Sequence, residues 1–434
     1  MTAAILWFRN DLRLHDNRVL RHAAAAAQSL LCLYIHDPLN DRPTAHGFPR
    51  MGPHRRRFLA DTLGDLAATL AARGQRLHVL TGRPRELLPP LAAVLGTQRL
   101  FCEEIPAPEE EAEVAALRAS GLDVHTSWQS SLLDPEDLPF VREDLPKIFT
   151  QFRKRVEAVG VTPRPSIPSP AELPGTPLID SSRLDRSRFE FTLDSAAGAD
   201  DPRSSFPYRS GEFAGGESAA LLHLRRFFAG ELAQNYKETR NGLQGTCYST
   251  KFSPWLATGA LSPRIVAEAL REHEQRRGAT ESTYWIWFEL LWRDYFRFLH
   301  RQHGRALYRA SGLTRLPPPA HDVAAFDRWR SGTSGDAFID AGMRELAATG
   351  YLSNRLRQNV ASFLIHDLHC DFRAGAAWFE SQLIDYDPCS NQGNWLYLAG
   401  RGTDPRGGRR FEPQVQARAY DPQAHYRGLW NRAD

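Results

Sequence analysis

The sequence predicts an α/β domain with a five-stranded, parallel, Rossmann-like sheet, followed by a large all-α domain. Three observations predict this fold class: apolar segments of strand length alternate with helical spacing through residue 128, eleven prolines crowd residues 135–207, and helical spacing dominates from residue 217 onward. A chain of 434 residues also exceeds what one hydrophobic core organises. We expect an α/β domain over 1–130, a proline-rich interdomain linker over 131–215 and an all-α domain over 216–434.

The predicted strands have the sequences ILWF, LLCLYIHD, RLHVLTG, RLFCEE and LDVHTSW. Segments rich in Ala, Leu and Arg lie between them, so the pattern favours βαβ units and a doubly wound sheet. The chain carries neither GxGxxG nor GxxxxGK[ST] in this part. The usual dinucleotide and P-loop fingerprints are therefore absent.

Proline removes a backbone donor and restricts its predecessor, so the linker should hold few regular elements. One helix is predicted within it, at KIFTQFRKRVEAVG. Further helices are predicted at 216–232, at 282–304 with Ser282 as N-cap, and at 343–368, where Gly350 divides two helices.

The helix predicted at 282–304 has two stripes. Its rings share one face and indicate core packing: Trp285, Phe288, Trp292, Tyr295 and Phe296. A second stripe, at intervals of four, holds Glu289, Arg293 and Arg297. It is either a solvated, charge-paired face or a buried Glu–Arg pair that a ligand holds in place.

Composition indicates a soluble protein: 42% of residues are apolar and 24% charged, and no run of 18 apolar residues occurs. The N-terminus does not resemble a targeting segment, and five scattered cysteines suit a reducing compartment, so we expect a cytoplasmic, bacterial-type protein. His366, His369 and Cys370 lack a second ligand cluster, so no metal site is predicted.

Basic residues are almost all arginine, fifty of 54, although net charge is only +3. Codon bias explains most of this excess, but arginine also forms bidentate hydrogen bonds with phosphates and stacks on bases. Four arginines within 401–410 indicate, weakly, a polyanionic partner.

Two further segments carry candidate chemistry. Residues 249–253 combine hydroxyls with Lys251 before a Ser-Pro helix start, which suits either a pyrophosphate seat or ordinary capping. Residues 382–400 place Asp385 and Asp387 before a predicted Gly-Asn turn at Gly393 and Asn394. The alternating rings of this segment first suggest a strand, but a turn between helices fits better.

Four long motifs, in order, resemble the photolyase/cryptochrome family, and more narrowly its cryptochrome DASH branch. They are KETRNG…YSTKFSPWLATGALSPR, STYWIWFELLWRDYFRFL, MRELAATGYLSNRLRQNVASFL and DYDPCSNQGNWLYLAG…DPR. The resemblance covers essentially the whole chain. It implies an antenna-type α/β domain and a helical domain that binds FAD.

The resemblance also implies which residues bind FAD. The matching positions are Tyr236, Ser249, Thr250, Lys251, Phe252, Ser253, Arg293, Asn354, Arg357, Asp385, Asp387 and Asn391. Of these, Arg357 matches the partner of Asp385 beside the isoalloxazine, and Asn391 matches the residue that faces flavin N5.

The family reaction is light-driven: excited reduced FAD passes an electron to a cyclobutane pyrimidine dimer, the ring opens and the electron returns. The dimer must leave the base stack. Trp292 and Tyr397 match the flanking rings, and Glu289 matches the carboxylate at its edge. Candidate phosphate contacts are Arg240, Arg355, Arg406, Arg409 and Arg410.

Tyr397 stands where duplex photolyases usually have a tryptophan. DASH proteins tend to have tyrosine at this position, and they resemble repair enzymes that prefer single-stranded DNA. Weaker stacking suits a base that is already free.

The resemblance implies flavin reduction through three tryptophans. Trp395 matches the proximal member, but Phe372 stands where the middle member belongs, and Trp329 lies in a different motif. Trp378, Tyr386 or an external reductant could bypass this gap. In the α/β domain, Glu104 matches the acid that anchors a 5,10-methenyltetrahydrofolate antenna.

We therefore expect a monomeric FAD enzyme, a deoxyribodipyrimidine photolyase-like lyase, that repairs pyrimidine dimers in single-stranded DNA without membrane association. The main alternative is a non-enzymatic blue-light photoreceptor that binds DNA or a signalling partner. A third is an electron-transferring flavoprotein, in which Glu289, Trp292 and Tyr397 have no role.

Overall fold

The structure is a computed structural model that describes residues 2–177, 199–209 and 211–431. Its sheet has five parallel strands in the order β3-β2-β1-β4-β5, which confirms the predicted α/β fold class. The strands are β1 Ala3–Phe8, β2 Ser29–His36, β3 Leu77–Thr81, β4 Arg99–Glu103 and β5 Asp123–Ser127. Each lies within two residues of a predicted segment.

Helices cover both faces of this sheet: α1 Arg18–Ala26, α2 Pro53–Ala71, α3 Pro84–Leu95 and α4 Pro108–Ala119. Side chains alternate along a strand, and β1 shows the consequence. Leu6 joins one core cluster with Leu20 of α1, whereas Trp7 joins another with Leu88 of α3. Both faces are buried, as expected for a parallel sheet.

The proline-rich segment contributes α5, Phe149–Val159, where a helix was predicted. Short 3₁₀ turns lie at Pro135–Asp137 and Arg142–Asp144. Residues 178–198 and 210 of the predicted linker lie outside the described residues. The division of the chain at 130 and 215 stays a prediction.

Helices dominate from Glu217 to the end of the described chain. They are α6 Glu217–Ala229, α7 Tyr236–Thr239, α8 Ser253–Thr258, α9 Pro263–Arg277, α10 Glu281–His303, α11 Val323–Arg330, α12 Ala337–Thr349, α13 Asn354–His366, α14 Phe372–Gln382, α15 Pro388–Ala399, α16 Pro413–Tyr420 and α17 His425–Asn431, with a 3₁₀ turn at Gly304–Tyr308. Gly350 ends α12 at φ 67°, so the predicted division of that segment is confirmed.

The predicted N-cap of α10 is wrong by two residues. Thr280, and not Ser282, is the cap. Its hydroxyl accepts a hydrogen bond from the Thr283 amide, and its own amide donates to the Thr283 hydroxyl. Ser282 lies within the first turn of the helix, where its hydroxyl donates to the Glu238 carboxylate.

The predicted turn at Gly393–Asn394 is also wrong, since both residues lie inside α15. Asp387 starts this helix by accepting from the Ser390 amide, with Pro388 at the first helical position. Gly393 serves close packing: a Cβ there would come within 2.2 Å of a Phe296 ring carbon of α10.

Buried polar contacts join the sheet to the helical part. Arg264 of α9 donates from Nη2 and Nε to the Asp16 carboxylate at 2.9 and 3.0 Å, and both side chains are almost fully buried. Asp294 of α10 accepts from the Leu132 and Leu133 amides at 2.8 and 2.7 Å. These contacts fix the position of the cleft described next.

Among the described residues, no helix combines the length and apolar character that crossing a bilayer requires.

Candidate functional site

Two adjoining cavities form a cleft in the helical part, between α7, α8, α10, α13 and α15. The outer cavity has a volume of about 350 Å³ and the inner one about 90 Å³. Both are lined by Asn354 and Gln358 of α13 and by Ser390 and Asn394 of α15. The shared walls make the two cavities one branched site.

The inner cavity holds the two predicted acids, each paired with an arginine. Arg357 of α13 donates from Nη2 to Asp385 Oδ2 at 2.8 Å and from Nε to the Leu352 carbonyl. Asp385 Oδ1 is buried and has no hydrogen-bond partner among the described residues. A buried carboxylate oxygen left unbonded is costly, so a ligand N–H group fits there.

Asp387 pairs with Arg297 of α10, whose Nη2 lies 2.6 Å from Oδ2. Burial alone raises the pKa of Asp387, but Arg297 and then Arg293 outweigh burial and lower the pKa to about 2. The carboxylate is therefore ionised at neutral pH and can accept bonds but not donate them.

Asn391 lines the inner cavity from α15. Its side-chain nitrogen donates to the Ala376 carbonyl at 3.0 Å. This bond fixes the orientation of the amide, so the side-chain oxygen points away from Ala376. Trp395, one turn further on, lines the same cavity and is buried. An amide and an oxidisable ring suit electron transfer better than acid–base catalysis.

The segment 249–253 splits into two groups. Thr250, Phe252 and Ser253 line the outer cavity together with Tyr236 of α7. Lys251 lies behind this wall. Its buried ammonium is 3.2 Å from the centre of the Tyr248 ring and finds no hydrogen-bond partner in the described part of the chain. Ser249 and Lys251 both adopt positive φ, near 60°, a strain often found at binding loops.

The outer cavity brings the predicted dimer contacts together. Trp292 and Tyr397 stand edge to face with ring centroids 6.0 Å apart. Phe149 of α5 covers one face of Trp292 at 3.7 Å, a contact that the sequence did not reveal. Glu289 lines the same cavity, and burial raises its pKa above the ordinary range, partly offset by its ion pair with Arg240.

The pairing predicted for the stripe Glu289, Arg293 and Arg297 is wrong. Glu289 pairs with Arg240, and Arg297 pairs with Asp387. Arg293 lines the outer cavity and donates to the Ser130 and Leu256 carbonyls. The partners are distant in sequence, so helical spacing could not reveal them.

Of the five predicted phosphate-contacting arginines, Arg240 is the one that lines the cleft among the described residues. Arg240 lines the outer cavity and stacks on Trp285, and Arg355 donates to Asn241. Arg409 donates from Nε to the Tyr397 hydroxyl at 2.9 Å. Arg406 and Arg410 are more than half exposed, and each pairs with an aspartate.

A separate cavity of about 550 Å³ opens at the carboxyl ends of β1 and β2, reaching Tyr386 of the helical part. Such an edge is where open α/β sheets commonly bind ligands. Glu104 is not among the residues that line it; this residue follows β4, and its amide donates to the Ser127 carbonyl.

Comparison with known proteins agrees with this architecture. The DNA photolyase family model matches residues 4–171, and the model for the FAD binding domain of DNA photolyase matches residues 285–431. The chain is 42% identical to Cryptochrome DASH of Synechocystis sp. over 98% of this chain and 86% of the relative. It is 44% identical to Cryptochrome DASH of Xenopus laevis, over 98% and 82%.

Solved structures give the same result. The cryptochrome of Synechocystis sp. PCC6803 superposes with a TM-score of 0.92 at 41% identity, covering 99% of this chain and 88% of that one. A class III photolyase of Agrobacterium tumefaciens gives 0.80 at 27%, covering 99% and 86%. The chain therefore belongs to the photolyase/cryptochrome family and, within it, to the cryptochrome DASH branch.

The cleft fits the FAD that this family's binding domain holds. Its inner cavity offers the unbonded Asp385 oxygen, the Arg357 guanidinium and the Asn391 amide, a donor and acceptor set suited to a flavin edge. Sequence reasoning missed Gln358, Ser390 and Asn394, which line both cavities. Recognising α15 as a helix would have placed Ser390 and Asn394 one turn apart on one face.

Proposed function

We propose that this protein repairs cyclobutane pyrimidine dimers by light-driven electron transfer, with a preference for single-stranded DNA. One observation supports this most: the outer cavity, walled by Trp292, Tyr397 and Glu289, adjoins the inner cavity that holds Asp385 and Asn391. A flavoprotein that only relays electrons has no use for such an outer chamber. In this proposal a flipped-out dimer enters the outer cavity and lies beside the flavin.

Bound reduced FAD would supply the electron that splits the dimer under blue light. The chain supplies placement and charge. Arg357 with Asp385 and Arg297 with Asp387 hold the inner cavity in a fixed arrangement. Trp292 and Tyr397 provide apolar faces for the two pyrimidines, and Glu289 accepts from their N–H edges when Arg240 turns to a phosphate.

Tyr397 supports the strand preference. Its hydroxyl accepts from Arg409, so the ring is tethered by a residue that can also reach the DNA backbone. A phenol ring stacks on a base less strongly than an indole does, which suits a dimer already free of a duplex.

The test uses purified, chemically reduced protein and a dimer-containing oligonucleotide, offered as single strand and as duplex under blue light. Recovery of thymine absorbance, faster on the single strand, is the expected result. Absence of recovery on both substrates would overturn the proposal. Recovery at equal rates would overturn the strand preference alone.

The second candidate function is a blue-light photoreceptor, which the name cryptochrome of the relatives favours. Receptor function predicts light-dependent binding of DNA or a partner without dimer loss. The same samples distinguish the two functions, because binding of DNA in the dark and under blue light can be measured together with dimer repair.

A folate antenna is proposed for the α/β domain, with Glu104 as its anchor. The reconstituted protein should then gain near-ultraviolet absorbance from 5,10-methenyltetrahydrofolate, and Glu104→Gln should lose most of it. If Glu104→Gln binds the folate normally, the pigment lies elsewhere, and the 550 Å³ cavity is the next candidate.

A further inference from the structure

The route by which electrons would enter the cleft has a gap at position 372. Trp395 lines the inner cavity, and its ring reaches α14, where a Cβ on Gly375 would lie 2.2 Å from Trp395 Cη2. Phe372 lies one turn before Gly375 in that helix and is buried. Phenylalanine is much harder to oxidise than tryptophan, so it is a poor relay station.

A different tryptophan contacts Trp395 directly. Trp329 of α11 stands edge to face with it, at a centroid distance of 6.4 Å and an interplanar angle of 77°. Phe379 packs against both indoles, 5.1 Å from Trp395 and 6.4 Å from Trp329. No ring contact joins Trp395 to Phe372 or to Tyr386 among the described residues.

We propose that Trp329 is the second member of the electron relay in this chain and takes the role that Phe372 cannot fill. The inference rests on the proposed function only in requiring a photoexcited flavin in the inner cavity as the oxidant.

The environment of Trp329 suits a middle station. It is completely buried, and its indole N–H donates to the Val360 carbonyl at 2.9 Å. A peptide carbonyl is a very weak base, so an oxidised Trp329 keeps its proton and can be reduced again by simple electron transfer. It needs a further donor nearer the surface.

Trp378 of α14 is the candidate for that outer donor. It is 9% exposed, and no atom of the residues that the structure describes accepts a hydrogen bond from its indole N–H. Two phenylalanines pack between it and Trp329: Phe48 lies 4.9 Å from Trp378, Phe326 lies 6.4 Å from Phe48, and Trp329 lies 5.8 Å from Phe326. These rings fill the space between the two indoles and are not oxidised themselves. Arg330 lies over Trp378, but its pairing with Asp327 offsets the cation.

The electron balance is simple. Trp395 would give one electron to a photoexcited flavin bound in the inner cavity and recover it from Trp329, which in turn would recover it from Trp378. Trp378 releases its indole proton to water and is restored by a hydrogen atom, an electron with a proton, from a thiol in solution. The thiol is the net reductant and becomes a thiyl radical.

The test compares three Trp→Phe variants at 329, 378 and 430. Trp430 is an equally buried indole of the same hydrophobic cluster that packs on Arg203 and does not contact Trp395, so it is the matched control. Loss of blue flavin absorbance under illumination with thiol is the first readout. Oxidised tryptophan, mapped by peptide mass spectrometry after illumination without thiol, is the second.

Trp329→Phe should slow photoreduction by about tenfold or more, because an uphill hop of only 1.4 kcal/mol already costs that factor. It should also remove oxidation at residue 378, whereas Trp430→Phe changes neither readout. Adding Phe372→Trp to Trp329→Phe should restore much of the rate by rebuilding a route through α14.

Wild-type rates in Trp329→Phe would overturn the relay, as would wild-type protein that binds flavin but cannot be photoreduced. Flavin content and repair after chemical reduction are measured on the same samples. A relay failure leaves both intact, whereas failure of the proposed function abolishes repair whatever the relay does.

Discussion

Asp385 and Asp387 lie two residues apart, yet each pairs with an arginine from a different helix. Arg357 comes from α13 and Arg297 from α10, so the short segment between α14 and α15 is bonded to two further helices. Family resemblance identified these acids, but their energetic coupling to α10 follows from the structure alone. Removal of one partner should leave an unpaired buried charge.

Asp387→Asn tests that coupling. The Asp387 pKa is 3.8 ordinarily and about 2 in the fold, so its stabilising contribution is present above pH 4 and lost as pH falls towards 2. The variant should lose about 3–5 kcal/mol at pH 7, because Arg297 is left unpaired. Chemical unfolding at several pH values measures the free energy of unfolding of both proteins. The difference between wild type and variant should become smaller below pH 4. A constant difference would contradict the assignment.

Tyr397→Trp tests the strand preference at single-residue scale. A larger ring should add about 0.7 kcal/mol of stacking, which is about threefold in affinity, and mainly for a dimer that must leave a duplex. Dark binding to single- and double-stranded dimer oligonucleotides gives the ratio. Tyr397→Phe keeps a ring but loses the Arg409 bond and serves as the control. An unchanged ratio in Tyr397→Trp would rule out stacking as the cause.

Element by element, the sequence predicted strands and long helices well, because their signals are periodic and local. The sheet segments, α5, α10 and the division at Gly350 all came from spacing. The start of α15 did not, since Gly-Asn resembles a turn in any local window. The residue that requires Gly393 is Phe296, almost a hundred positions away, and no pattern within α15 contains that information.

The site shows the same limit. Spacing suggested that Glu289, Arg293 and Arg297 pair among themselves, whereas Arg240 and Asp387 are the actual partners. Trp329 stood apart from the relay motif in sequence, and only the packing of α11 on α15 brings it to Trp395. Local sequence patterns reveal which face of a helix is buried or functional, but they do not reveal which distant residues contact that face.

Gly393→Ala tests the close packing of α15 on α10. The added methyl group would meet the Phe296 ring at 2.2 Å, and overpacking of this kind costs about 1–3 kcal/mol. Thermal unfolding should therefore occur several degrees lower. Gly64→Ala in α2 is the control, because among the described residues no side chain and no other element lies within 4 Å of its Cβ. That variant should gain about 0.5–1 kcal/mol. Equal melting temperatures for both would contradict the packing account.

At the scale of the molecule, buried ionic contacts join the sheet to the helices. Asp16 with Arg264 and Asp294 with the 132–133 amides are buried where the two parts meet. Such groups add little net stability when satisfied, but they are costly to separate. The two parts should therefore unfold together.

Arg264→Gln tests this joint behaviour. It removes the cation that bonds the buried Asp16 carboxylate and leaves only Arg13 nearby, so it should cost about 3–5 kcal/mol. Arg226→Gln, which breaks an exposed pair with Glu212, should cost less than about 1 kcal/mol. Calorimetry should show one transition in each protein, shifted only in Arg264→Gln. If Arg264→Gln does not fold, the double variant with Asp16→Asn should recover folded protein; failure of that rescue would contradict the pairing.

The Asp16–Arg264 contact also limits how this fold can be recombined. A chimera that takes its sheet from one relative and its helices from another brings together two surfaces that each contain half of a buried ion pair. Such an exchange should succeed only when residues 16 and 264 come from the same relative. A chimera should therefore be designed around the residues that pair across the interface, and not around the linker between the two parts.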